Sequence, residues 1–173
     1  MTGLTNSRAI GILAFRVTIG WVFLFAGIEK LFLSGHAFDA SKFLQFGTLG
    51  TAAGAVEGAV VNPTHQFWVD LAGNSAAMNI VNVLVPFGQV AIGLALIIGL
   101  GTRFAGVMGA LMMAFIGIAS WDFANGIVNY HVVLTFSSLI LALIAAGEIY
   151  GADAFVDETP IVKRAPALRY VLG

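Results

Sequence analysis

Charged side chains are missing from three long intervals of the chain: between Asp70 and Arg103, between Arg103 and Asp122, and between Asp122 and Glu148. Each can hold a helix of about 20 residues, the length that crosses a hydrocarbon core about 30 Å thick. A fourth apolar stretch lies near the N-terminus and carries Arg16, Glu29 and Lys30. The pattern predicts four spans, at about Ala9–Leu33, Ile80–Leu100, Phe104–Trp121 and Asn129–Ile149. Apolar residues surround these segments on most faces, as expected where the outer surface meets lipid. The expected fold is therefore an all-α membrane protein, a single antiparallel bundle of four transmembrane helices. No small-x-small site closes the run Val17–Ile28, so it is read as an uncleaved span rather than a signal peptide.

The connections differ in length. Gly101-Thr102-Arg103 is so short that the second and third spans must form an antiparallel hairpin. Small residues at four-residue spacing, Ala91, Ala95 and Gly99, then Ala105 with Gly109 and Gly106 with Ala110, suggest close packing faces along it. The connection over 34–78 is far longer than a hairpin needs. Asp39 is a candidate N-cap for a short helix through Phe43, Leu44 and Phe46, and Asn62-Pro63 for a second helix ending near Gly73. Phe67, Trp68 and Leu71 would share a side of the second, with Trp68 at the membrane interface. An extracytoplasmic cap of short interfacial helices is expected, with a mobile Gly/Ala-rich middle, GTLGTAAGAVEGAVVN. The polar tail over 151–173 reads as solvated.

Composition agrees with a lipid bilayer environment. Of 173 residues, 59% are hydrophobic and 10% charged, and mean hydropathy is +0.94, which places the chain outside the soluble class. Four spans put both termini on one side with Arg8, Arg103, Lys163, Arg164 and Arg169, against Lys30 and Lys42 opposite. The positive-inside rule makes both termini cytoplasmic in a multi-pass cell-membrane protein. No basic stretch interleaved with aromatics points to nucleic acid. The absence of cysteine removes thiol–disulfide chemistry and cysteine-ligated clusters. His36, His65 and His131 stand at no metal-motif spacing, so no metal centre is expected. GLGTRFAG turns a membrane hairpin and is not a phosphate loop.

A charge inside a membrane helix needs a partner or a wet cavity. Arg16 and Glu29 lie 13 positions apart, about 20 Å of rise and about 140° of rotation, and cannot pair with each other. Arg16 is expected to form a structural ion pair with Glu148, by snorkelling toward the end of the fourth span. Alternatively it holds an anion or a carbonyl oxygen in a cavity. Toward the opposite surface, Glu29, Lys30, Asn82, Asp122, Asn129, Tyr130 and His131 come to similar depth, with Trp21, Phe25, Phe32, Trp121 and Phe123 as aromatic walls. These are the parts of a quinone-headgroup site: donors for carbonyl oxygens, aromatic surface and a titratable group. His131 is the candidate acid/base, with Asp122 or Glu29 fixing its tautomer and passing the proton outward. Lys30 would attract a small anion. The competing account is that polar residues collect at membrane interfaces without sharing a site.

The stretches FRVTIGWVFLFAGIEKLF, PFGQVAIGLALIIGLGTRFAGVMGALMM and HVVLTFSSLILALIAAGEIYGADAF resemble the DoxX-like membrane family. PTHQFWVDLAGN in the long connection makes the chain look most like its DoxD branch, the membrane subunit of thiosulfate:quinone oxidoreductase. The resemblance implies a four-helix subunit that couples oxidation of a sulfur anion such as thiosulfate to quinone reduction, beside a second small subunit or within a larger redox complex. A homo-oligomer is the other assembly considered. Arg16, Glu29-Lys30, Gly101-Thr102-Arg103 and His131 are the matching positions. The branch often carries an acid immediately before the histidine; here Asn129-Tyr130 stand there, and Asp122 is the nearest substitute. Two further readings stay open: a non-catalytic anchoring subunit of a respiratory assembly, and a small proton-coupled transporter using Glu29.

Overall fold

The computed structural model describes residues 6–50, 56, 59–121, 128–157, 159, 162 and 170–172, and among these the regular structure is entirely helical. Helix α1 (Asn6–Ile28) runs on through a π turn, Glu29–Leu33. The cap follows, with a π turn at Phe43–Gly47 and α2 (His65–Gly73). Then come α3 (Ser75–Ile98), α4 (Thr102–Ser120), α5 (Tyr130–Leu143), a 3-10 turn at Ala146–Glu148 and α6 (Ala152–Asp157).

Among the described residues, three helices are long and apolar enough to cross a membrane: Asn6–Leu33, Ser75–Ile98 and Thr102–Ser120. The expected fourth span, 129–149, is shorter than its hydropathy suggests. Its helix, α5, has 14 residues, about 21 Å at 1.5 Å per residue. Beyond it the backbone takes left-handed turns at Ala145 (φ 51°) and Tyr150 (φ 52°). The cause lies across the bundle in Arg16, whose donors need acceptors. Carbonyls inside a helix are already engaged, and only a chain that leaves the helix offers free ones.

Local signals set the other ends. Asn74 caps α3, accepting from the amides of Ala76 and Ala77 at 3.1 Å. Gly99 ends it in the left-handed region (φ 75°), and Gly101 (φ 64°) redirects the chain into α4, a conformation glycine adopts without Cβ strain.

The main packing pairs are α1 with α3 and α4 with α5. A Cβ on Gly20 would stand 3.0 Å from the Gly93 carbonyl, and one on Gly27 2.8 Å from the Pro86 carbonyl. A Cβ on Gly106 would lie 2.6 Å from the Ser138 carbonyl. The small-residue stripes thus serve different partners than the α3–α4 hairpin predicts. Ala91 is exposed, Gly93 faces α1, and Gly106 faces α5. Backbone contact, not the helix nearest in sequence, selects which glycine is used. Ile19, Phe23, Ile92, Leu96, Met113, Leu134 and Leu141 fill the space between the pairs.

The cap has its own small core of Ala40, Leu44, Trp68, Met78 and Ala119. Asp39 accepts from the Ser41 amide at 3.0 Å, and α2 ends at Gly73, both as expected. Trp68 differs from expectation: it is buried, its indole donating to the Thr64 hydroxyl at 2.9 Å, while the adjacent Phe67 is exposed. Neighbours on a helix diverge by about 100°, so the two rings cannot share one face. Asn62 fastens the cap to α4 by donating to the carbonyls of Ile118 and Ala119 at 3.1 and 3.0 Å. Of the middle expected to be mobile, 51–55, 57 and 58 lie outside the described residues.

The tail also departs from the solvated reading. Asp153, Val162 and Leu172 are buried, and the Phe104 amide donates to the Val171 carbonyl at 3.2 Å. The chain's last described residues therefore close over the start of α4, at the end of the bundle that also holds Arg16.

Candidate functional site

Two polar constellations stand at opposite ends of the bundle. The first surrounds His131, in the opening turn of α5. Asn129 caps that turn, accepting from the Val132 amide at 3.1 Å, and the Thr135 hydroxyl donates to the His131 carbonyl at 2.8 Å. The histidine approaches α4 where Gly117 leaves room: a Cβ there would lie 2.9 Å from the His131 Cβ. Tyr130 meets the imidazole edge to face, centroids 5.5 Å apart. Beside them is a hollow of about 180 Å³, lined by Met113, Ala114, Gly117, Ile118, Asn129, His131, Val132, Thr135 and Phe136. Phe136 and Ile118 are exposed, so the hollow opens on the lipid-facing side of the α4–α5 pair.

The other residues predicted for this site go elsewhere. Glu29 is exposed on the π turn that ends the first helix. The Lys30 ammonium donates to the Ala26 carbonyl at 3.1 Å and stands 6.0 Å from the Phe38 ring centroid. Asn82 accepts from the Ala40 amide at 2.9 Å and donates to Asp39 at 3.3 Å. Those bonds fasten the cap to α3. Hydrogen bonds from Ser41 and then Asn82 hold the Asp39 carboxyl below the usual carboxylate range. Trp121 turns left-handed (φ 44°) beneath Gly50 of the cap. None of Glu29, Lys30, Asn82 or Trp121 lines the hollow beside His131. Asp122 lies outside the described residues.

The second constellation centres on Arg16, which is 1% exposed. Its guanidinium donates to the Ala146 carbonyl at 2.6 Å, to Ile149 at 3.1 Å and to Tyr150 at 3.2 Å. Arg16 thus reaches the segment that contains Glu148, but the expected ion pair is replaced by carbonyl contacts, and Glu148 itself is exposed. The anion that acts on Arg16 is Asp153, which is fully buried. Its carboxylate accepts from the Gly101 amide at 2.7 Å and the Thr102 amide at 3.0 Å, satisfying donors at the start of α4. Glycines make the cluster possible. A Cβ on Gly99 would stand 2.6 Å from Arg16 Nη1, and one on Gly147 would collide with Asp153 and Thr102.

Asp153 is the member of this cluster that sequence reasoning missed; Thr102 entered only as part of the Gly101-Thr102-Arg103 match. The available signal was the spacing of Gly147 and Gly151 around a lone polar turn. It became readable only once Arg16 was known to face that turn.

The family model described as DoxX matches residues 11–123, from the first helix through the end of α4. No curated protein and no solved structure matches the chain.

Proposed function

Because the chain belongs to the DoxX family of membrane proteins, we propose that it is a membrane subunit of a redox complex, in which the hollow beside His131 receives a quinone headgroup from the lipid. Both termini are cytoplasmic in this reading, and a sulfur anion such as thiosulfate approaches from the extracytoplasmic side, past the cap. Electrons reach the quinone directly or through an organic cofactor.

One observation carries the reading: a titratable imidazole lines a lipid-facing hollow at the membrane-spanning surface. Its volume suits a single ring, since a cavity of about 150 Å³ accommodates benzene. His131 can donate to a quinone oxygen and deliver a proton as the ring is reduced. Met113 and Phe136 supply an apolar wall for the rest of the headgroup.

The test is quinone-analogue reduction driven by thiosulfate, with the subunits that copurify. His131→Ala should lower turnover about 100-fold, the lower end of what a positioned acid/base contributes, and leave the yield of folded protein unchanged. Parallel loss of turnover and folded protein would reject the assignment.

A specific observation also favours an anchoring role. Asn62 donates to backbone carbonyls of α4, Asn82 to Asp39 of the cap, and Arg16 through its two terminal nitrogens to backbone carbonyls. Under that reading His131→Ala leaves the activity of the assembled complex unaltered, while loss of the chain disperses its partners.

A further inference from the structure

Two polar side chains stand in the interior of the bundle, away from both constellations described above. Gln89 of α3 is 3% exposed and Ser138 of α5 is fully buried. Among the described residues, neither the Gln89 carbonyl oxygen nor the Ser138 hydroxyl has a hydrogen-bond partner. Ser138 behaves unlike other hydroxyls on these helices. A hydroxyl in an apolar helix ordinarily bonds to the carbonyl one turn earlier, as Thr135 does to His131 and Ser120 to Ile116, each at 2.8 Å. Ser138 instead turns its oxygen toward α4: a Cβ on Gly109 would lie 3.3 Å from it.

The same notch at Gly109 draws in the other two helices. A Cβ there would also lie 3.1 Å from Phe23 Cζ of α1 and 3.3 Å from Ile92 Cγ2 of α3, so side chains of α1, α3 and α5 all converge on it. Gln89 precedes Ile92 by about 4.5 Å of rise and is buried on the side of α3 that carries Ile92. The two unpartnered groups thus belong to different packing pairs, α1 with α3 and α4 with α5, and both are turned into the space where the pairs meet. Phe23, Ile92, Met113 and Leu134 fill the core there and bring no hydrogen-bond donor. An amide oxygen and a hydroxyl kept dry in such surroundings bear their full desolvation cost. Water removes that cost, since it donates to the amide oxygen and bonds the hydroxyl in either direction, and two polar partners are enough to hold an internal water.

We propose that the interior of the bundle holds structural water, hydrogen-bonded to the Gln89 carbonyl oxygen and the Ser138 hydroxyl, which ties the α1–α3 pair to the α4–α5 pair. The site is independent of any chemistry at His131. A bond through water is enthalpically close to a direct one. Unlike apolar packing, it also fixes which turn of α3 stands opposite which turn of α5.

Pulsed X-ray hydroxyl-radical labelling of the full chain in nanodiscs tests this, because radicals formed from bound water oxidise the side chains beside it. Phe23 is 1% exposed and meets Ser138 at the Gly109 notch, so it is the reporter. The wild-type chain should be oxidised at Phe23, and the double variant Gln89→Met with Ser138→Ala should lose that label. Thermal unfolding gives a second readout. Each single variant should lower the midpoint, because it strands the other group, and the double variant should recover toward the wild type, since replacing both partners by apolar groups of similar shape is close to neutral. If the double variant does not fold, wild-type labelling and the two single variants decide. Phe23 unlabelled in the wild type, or labelled as strongly in the double variant, overturns the proposal. So do single variants that leave the midpoint unchanged or raise it, as removal of dry unpartnered groups would, and a double variant whose loss is the sum of the single losses.

Discussion

Arg16 shows how one side chain reorganises backbone far away in sequence. A buried guanidinium carries five donors in a fixed fork, and lysine cannot reproduce that geometry. Its acceptors are the carbonyls of Ala146, Ile149 and Tyr150, and Asp153 supplies the opposing charge. Arg16 and Asp153 are both buried and attract each other without direct contact, and removing one charge from such a cluster leaves the other less compensated, at a cost of up to about 3–5 kcal/mol. Arg16→Met and Asp153→Asn should each lower unfolding free energy in detergent by about that amount. The double variant should lose less than the sum, with a coupling of about 0.5–3 kcal/mol. Strictly additive losses would show that the two residues act separately. The need for a partner was legible in the sequence, since a charge in an apolar run demands one. Which partner was not: carbonyl acceptors have no residue type, so Glu148, the nearest acid by register, concealed Asp153.

The cap is attached at the level of elements, through Asn62 to the end of α4 and through Asn82 and Asp39 to the start of α3. Asp39 is held below the usual carboxylate range by Ser41 first and then by Asn82. A depressed folded value contributes stability that is present above the unfolded value of about 3.9 and is lost as pH falls through the folded one. The attachment at α3 should therefore be constant between about pH 5 and 8 and loosen below about pH 4. Limited proteolysis of the connection by an acid protease measures this, with faster cleavage expected as pH falls. Asp39→Ala should be cleaved faster at pH 5 and show a flatter acid response; a response as steep as the wild type's would assign the pH dependence to other carboxylates. The end of α2 was legible because Gly73 is a local signal, whereas the expected cap, Asn62, stands two residues before the observed cap position, Thr64. The length of α5 was not, because the run Val132–Gly147 carries no charge and its break answers to Arg16. The burial of Trp68 was hidden likewise, as interfacial and buried tryptophans have the same helical spacing.

For the whole molecule, the pairing of α1 with α3 and α4 with α5 places the start of α1 and the residues after α5 at one end, where Arg16 joins them. The cap closes the opposite end. Family membership and three long apolar helices establish a membrane protein, but a helix of 14 residues crosses only if the bilayer thins or the following turns sit at headgroup depth. The topology has a direct consequence for labelling, because the chain contains no cysteine and any introduced thiol reports alone. Ser7→Cys, Gln66→Cys and Phe155→Cys all replace exposed side chains, in α1, the cap and α6 respectively. With a membrane-impermeant maleimide, Gln66→Cys should react from the extracytoplasmic side of intact cells. Ser7→Cys and Phe155→Cys should react only in inverted vesicles, as the basic residues near both termini require. Reaction of Phe155→Cys from the same side as Gln66→Cys would mean that α5 does not cross. It would also separate Arg16 from Asp153 by the thickness of the membrane, so the buried cluster and the hollow beside His131 would be lost together.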